Sequence, residues 1–244
     1  MQPYRNDHHT IEKFQASPCG GVTDVLEALI ETILSQNTSA RNSTTAKRNL
    51  DTVFGRNNFA AIAQAPCSHV VDAIRTGGLA NKKAATIQKL LNSIYAKHGS
   101  YSLQHLAGEG YSDEQAMEEL VSYEGVGPKT ASCVLMFCLE RESFPVDTHV
   151  FRLSKLLGWV PAKANRITAQ AHLDARIPGE LKYGLHILMI AHGRRCSGCK
   201  KNSSRGACPL KTYRMGKGGG EDTGGDVYDR ASSQGPSAEG GDGS

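Results

Sequence analysis

Apolar residues recur along this chain at helical spacing and almost nowhere in strict alternation. Between Val25 and Gln36, the positions Val25, Leu26, Leu29, Ile30, Ile33 and Leu34 fall on one stripe of a 3.6-residue period. Asp24 stands at the cap position with Glu27 three residues on, the spacing of a capping box. Ser39 to Gly55 reads as a second helix closed by its glycine. NNFAAIAQA and SHVVDAIRTGG follow as short helices, punctuated by Pro66 and the Gly77-Gly78 pair. LANKKAATIQKLLNSIYAKHG sets Ile87, Leu90, Leu91, Ile94 and Tyr95 on one face. DEQAMEELVSYEG, ASCVLMFCLE, DTHVFRLSKLLGWV, NRITAQAHLDARI and GELKYGLHILMIAHGRRC complete the set. No convincing alternating strand pair and no solenoid repeat is present. The pattern predicts an all-α chain of many short helices joined by short loops.

Composition narrows the picture. A chain of 244 residues has room for one large domain or two small ones. No apolar run approaches the ~20 residues of a membrane span. The opening MQPYRNDHHTIEKF lacks an apolar segment of the secretory kind, and its early acids speak against a transit peptide. The net charge of +4 is uneven: from Gly216 onward there are two basic and six acidic side chains, so this end carries −4 and the rest +8. The Gly/Ser-rich end has too little apolar surface to offset its ordering entropy and reads as disordered. A basic body suits a polyanionic partner, and equally a merely soluble surface. Cys19, Cys67, Cys133 and Cys138 are scattered like the thiols of a reducing compartment, while Cys196, Cys199 and Cys208 cluster.

Candidate chemistry gathers around a glycine turn. Gly125-Val126-Gly127-Pro128 separates two helical patterns, with Lys129 just beyond it. Two glycines permit positive φ and strip Cβ atoms from the turn, so backbone N–H groups can approach a phosphate. Such a device grips DNA backbone without reading bases, although any αα-hairpin can use the same turn. Asp147 follows in a Val-Asp-Thr-His run. Taken singly, Lys129 is a solvated residue at a helix start and Asp147 an N-cap.

Taken together, Leu120-x4-Gly-Val-Gly-Pro-Lys-Thr-Ala and Val-Asp-Thr-His-Val-Phe-Arg resemble the helix-hairpin-helix, Gly/Pro-Asp (HhH-GPD) superfamily of DNA glycosylases, in its endonuclease III branch. LSQNTSARN resembles the end of an early helix in that branch, with Ser39 where the bacterial form usually has Asp. GGLANKKAATI and YGLHILMIAHGRRC resemble its Gly-Leu-x-x-x-Lys-Ala loop and its His-Gly-Arg entry to a cysteine loop. The likeness runs from about Thr23 to Leu210.

The resemblance implies two helical lobes with an active-site cleft between them. It divides the chain into an N-terminal segment (1–21) packing with the C-terminal lobe and a six-helix lobe (22–141) holding the hairpin at about 117–138. A C-terminal lobe (142–215) with the cysteine loop 196–208 follows, then the acidic end (216–244). Lys129 would be the nucleophile that attacks C1′ of a flipped nucleotide, its amine made more often neutral by partial desolvation. Asp147 would stabilise positive charge on the sugar. Gln36 and Leu79 would fill the gap in the duplex. Gly125, Val126, Gly127 and Thr130 would hold the DNA backbone at the hairpin; Lys82, Lys83, Arg194 and Arg195 would touch phosphates. His149 would orient Asp147 or contact phosphate. The implied activity is a bifunctional glycosylase and AP lyase acting as a monomer on duplex DNA with damaged bases, oxidised pyrimidines by default, or abasic sites. The alternatives are a monofunctional glycosylase for alkylated or mismatched bases and a non-catalytic DNA-binding module. A nucleus, or the cytoplasm of a prokaryote, is the compartment expected.

Relatives in that branch hold a [4Fe–4S] cluster on Cys-x6-Cys-x2-Cys-x5-Cys, whereas this chain offers Cys196-x2-Cys199-x8-Cys208. One thiolate is missing. Cys19 is the plausible replacement, and a zinc site completed by His192 is an alternative. The expectation is a chain without a cofactor, its degenerate loop held by packing alone.

Overall fold

The computed structural model describes residues 24–199 and 208–217, and within them every regular element is helical. In order these are α1 (Val25–Ser35), α2 (Ala40–Phe54), α3 (Phe59–Gln64), α4 (Cys67–Ala73), α5 (Ala80–His98), α6 (Asp113–Ser122) and α7 (Pro128–Phe137). They continue with α8 (Thr148–Leu157), α9 (Arg166–Asp174), α10 (Gly179–Arg195) and α11 (Pro209–Lys217). The described chain is all-α, as its periodicity predicts. None of its helices is long and apolar enough to cross a membrane.

Two cores organise the helices. The stripe of α1 is closed from solvent and meets Leu50, Ile74, Ile87, Leu90, Leu91 and Ile94 from α2, the turn after α4, and α5. Burying each such side chain stabilises by about 1.5–3 kcal/mol. A smaller core collects Phe144, Val146, Val150, Leu153, Ala169, Leu173 and Met189, with Cys199 and Cys208. Helix α7 belongs to both. Ala131, Val134 and Leu135 enter the larger core, and Cys133, Met136 and Phe137 the smaller. Its near-continuous apolar run is therefore a helix buried on both sides. It packs against α1, α6 and α9, so its N-terminus opens at the seam between lobes.

Local signals set most boundaries. Ser112 and Gln115 cap α6 reciprocally, as Asn165 and Thr168 cap α9. Pro128 occupies the first position of α7, where a missing N–H costs nothing. At α1 only half of the expected capping box forms. Asp24 accepts from the Glu27 N–H at 2.7 Å, but the Glu27 carboxylate is buried and receives Lys47 Nζ at 2.7 Å. Arg56 and Asn57 complete its hydrogen bonds. A charge so removed from water needs this cation more than α1 needs a second cap bond. Helix α11 is an element that the periodicity did not announce, and it carries helical structure past the boundary expected at residue 215. The segment 1–21, Cys19 within it, and the acidic end beyond Lys217 lie outside the described residues.

Candidate active site

The hairpin turn is tight for a packing reason. Gly125 has φ +87°, and a Cβ there would stand 2.4 Å from Thr86 Cγ2 on α5, so this position excludes side chains twice over. The Val126 side chain is buried in the larger core, which leaves only its backbone for any contact outside. Gly127 caps α7 in extended conformation with open space around it. Lys129 thus becomes the second residue of a helix, half-buried, and its ammonium shares a hydrogen bond with the Cys133 thiol one turn on. Burial pushes that thiol's pKa up.

Asp147 ends the buried run Ser143 to Val146 and caps α8. Its Oδ1 accepts from the N–H groups of His149 and Val150, each at 2.8 Å. Gln170 of α9 ties the two helix starts together. Its Oε1 accepts from the Val146 N–H at 3.3 Å, and its Nε2 donates to the Pro128 carbonyl at 3.1 Å. The residues immediately preceding Asp147 and Lys129 are thereby fixed by one buried amide.

Lys129 and Asp147 line a single cleft of about 1130 Å³ at the seam, together with Gln36, Thr130, His149 and Arg194. Gln36 follows α1, and its Nε2 lies 3.3 Å from Thr130 Oγ1. Gly127 and Arg195 also line the cleft. His149 packs against Gly193, where a Cβ would come within 2.8 Å of its ring; α8 and α10 meet closely here.

Other candidates lie elsewhere. Leu79 is 54% exposed at φ +52°, just before α5, and is neither in the core nor in the cleft. Lys82 is exposed beside it. Lys83 corrects the expectation of a phosphate contact: it is buried, and Nζ donates to the carbonyls of Leu34 at 2.7 Å and Gly77 at 2.8 Å. A cation there satisfies a carbonyl orphaned at the end of α1, and burial lowers its pKa.

Two cleft residues had no signal beyond a polar position on an apolar helix face: Gln170 and His186. His186 is buried in α10, with a ring nitrogen 2.9 Å from the Pro145 carbonyl and the rings of Phe137 and Phe144 edge-on at 5.6 and 6.0 Å. Only a protonated Nδ1 can donate to that carbonyl. Desolvation pushes the pKa down to about 4, so the imidazole is neutral at physiological pH, with Nε2 its acceptor atom.

Beyond the cleft, the last turn of α10 brings His192 to the three clustered cysteines, the set of the zinc alternative. His192 Nε2 lies 3.0 Å from Cys199 Sγ and 3.6 Å from Cys208 Sγ, and those sulfurs are 3.0 Å apart. With Cys196, the four donor atoms all fall within 4.8 Å of one another, a group placed to hold a metal. Arg152 of α8 anchors this corner by donating to the carbonyls of Cys199 and Gly193.

Residues 30–178 match the HhH-GPD superfamily of base excision DNA repair proteins. A putative DNA glycosylase of Arabidopsis thaliana is 45% identical over 181 residues, covering 74% of this chain and 60% of its own length. The chain therefore spans somewhat over half of that relative. The endonuclease III of Sulfolobus acidocaldarius is 31% identical over 184 residues, covering 75% of this chain and 78% of its own. Among solved structures, a trapped endonuclease III–DNA covalent intermediate superposes with a TM-score of 0.66 at 24% identity, covering 88% of this chain and all of the other, a likeness of fold. With the hairpin, the two-lobed helical fold and these matches, the chain belongs to the HhH-GPD superfamily of base excision DNA repair proteins, in its endonuclease III-like branch.

Proposed function

We propose that this chain is a bifunctional DNA N-glycosylase and AP lyase. The observation that carries the reading is the arrival of Lys129 and Asp147, from the starts of two different helices, in one cleft. In this reading a damaged nucleotide turns out of the stack into the cleft. The Lys129 amine attacks C1′, the C1′–N bond breaks with its electron pair leaving on the base, and ring opening yields a Schiff base. Loss of a C2′ proton then expels the 3′ phosphate by β-elimination. Asp147, oriented by two backbone N–H groups, faces the sugar as positive charge develops there. Gly127, the Lys129 N–H at the start of α7, and Arg194 and Arg195 hold flanking phosphates. Gln36 and Leu79 enter the space vacated in the duplex.

Oxidised pyrimidines are the substrate class proposed, with duplex DNA the partner of a monomer, and the nucleus the compartment, in keeping with a plant relative. Borohydride trapping on a duplex with one abasic site tests the reading. Wild type should form a covalent adduct and nick the strand, and Lys129→Ala should do neither. Base release that survives Lys129→Ala but not Asp147→Asn would identify a monofunctional glycosylase. Salt-sensitive binding with no release on a lesion panel would leave only a DNA-binding module.

A further inference from the structure

The endonuclease III likeness brings a four-iron cluster with it, and the donors present here test that cofactor by size and by chemistry. A cubane places each ligand beyond an iron corner, which spreads its thiolates roughly 6 Å apart. The donor atoms of His192, Cys196, Cys199 and Cys208 all lie within 4.8 Å of one another, and three of the contacts are 3.0 to 3.6 Å. A single tetrahedral ion with metal–sulfur bonds of about 2.3 Å sets its ligands about 3.8 Å apart. The group matches the smaller figure. One donor is also an imidazole in place of a thiolate, a Cys3His set that suits zinc. The residues do not fit a cubane.

We propose that His192, Cys196, Cys199 and Cys208 bind one structural zinc ion. Four protein donors leave no open position, so the ion's role is mechanical. It would close the C-terminal end of α10, through His192 and Cys196, onto Cys208 at the entry to α11. Cys199 and Cys208 are buried in the smaller core, where deprotonated thiolates need a cation. Arg194 and Arg195, which line the cleft, sit between two of the ligands in sequence. Zinc would thus hold the arginines at the mouth of the cleft.

The full chain, purified without chelating resin and without oxygen, should contain about one zinc per molecule, with iron and sulfide at background and no visible absorption. Cobalt in its place should give the strong ligand-field bands of a tetrahedral thiolate site. After dialysis against a mild chelator, His192→Ala should retain less than about half of the zinc that wild type keeps, while His192→Cys, which restores four donors, should retain it. Should His192→Ala fail to fold, the wild-type cobalt spectrum and His192→Cys still decide the matter. Four irons with sulfide and a visible charge-transfer band would overturn the proposal. So would a metal-free chain with a Cys199–Cys208 disulfide, or full zinc retention by His192→Ala. None of these readouts depends on catalysis, so a failure here leaves the reading of the cleft untouched.

Discussion

Asp147 caps a helix and, in the proposed reaction, faces the sugar; exchanging it for asparagine separates the two roles. The cap consists of two 2.8 Å hydrogen bonds to one oxygen. Asparagine keeps an oxygen there and caps about as well as aspartate. What it loses is the charge at the N-terminus of α8, worth about 0.3–1 kcal/mol. Asp147→Ala loses the charge and both hydrogen bonds, and a lost cap costs about 0.5–2 kcal/mol in addition. For a body of this size, each kcal/mol moves the melting temperature by about 2–4 °C. Asp147→Asn should therefore melt within about 4 °C of wild type and Asp147→Ala clearly lower. Base excision under single-turnover conditions should drop about 10²- to 10⁴-fold in both. Circular dichroism melts run beside excision on a single-lesion duplex supply the two numbers. Excision by Asp147→Asn within a factor of a few of wild type would refute the role at the sugar, and equal destabilisation by the two variants would refute the separation of roles.

Other expectations follow from the same geometry. Gln170→Leu strips the partners from the Val146 N–H and the Pro128 carbonyl, so urea unfolding should show a loss of about 1–3 kcal/mol for each group left unpaired. Excision should slow as well, because the starts of α7 and α8, which carry Lys129 and Asp147, are both disturbed. Gly125→Ala combines a left-handed backbone with a 2.4 Å overlap on Thr86; strain of about 1–2 kcal/mol and overpacking of about 1–3 kcal/mol should both register in urea unfolding. His186 should make acid costly. Its pKa falls from an ordinary 6.5 when unfolded to about 4 when folded, so between these values the unfolded state binds more protons and stability rises with pH. The penalty is absent above pH 6.5, about 2 kcal/mol at pH 5, and complete below pH 4. Glu31 works in the opposite sense, since burial raises its pKa to about 7. The measurement is therefore the difference in unfolding free energy between wild type and His186→Phe at pH 5 and at pH 7.5, which should narrow or reverse in favour of the variant on acidification.

Much of the architecture was already written in the order of residues. The stripe of α1, the caps at Ser112 and Asn165 and Pro128 opening α7 depend on spacings within about four positions, the reach of helical hydrogen bonding, whereas the glycine turn answers also to Thr86 on α5. The hairpin and Val-Asp-Thr-His motifs singled out Lys129 and Asp147 through their family resemblance, and both motifs are short because each residue sits at a helix start. What tertiary structure alone decided are the partnerships over longer separations. Glu27 looks like half of a capping box until Lys47 reaches it from α2. Lys83 looks like a surface cation until the Leu34 and Gly77 carbonyls enclose it. Gln170 and His186 are ordinary polar residues of helices until the Pro128 and Pro145 carbonyls fix them, and His192 became a ligand candidate in geometry only when α10 delivered it to three cysteines. A buried polar group must find a partner, and packing, rather than sequence neighbourhood, determines which one lies within reach.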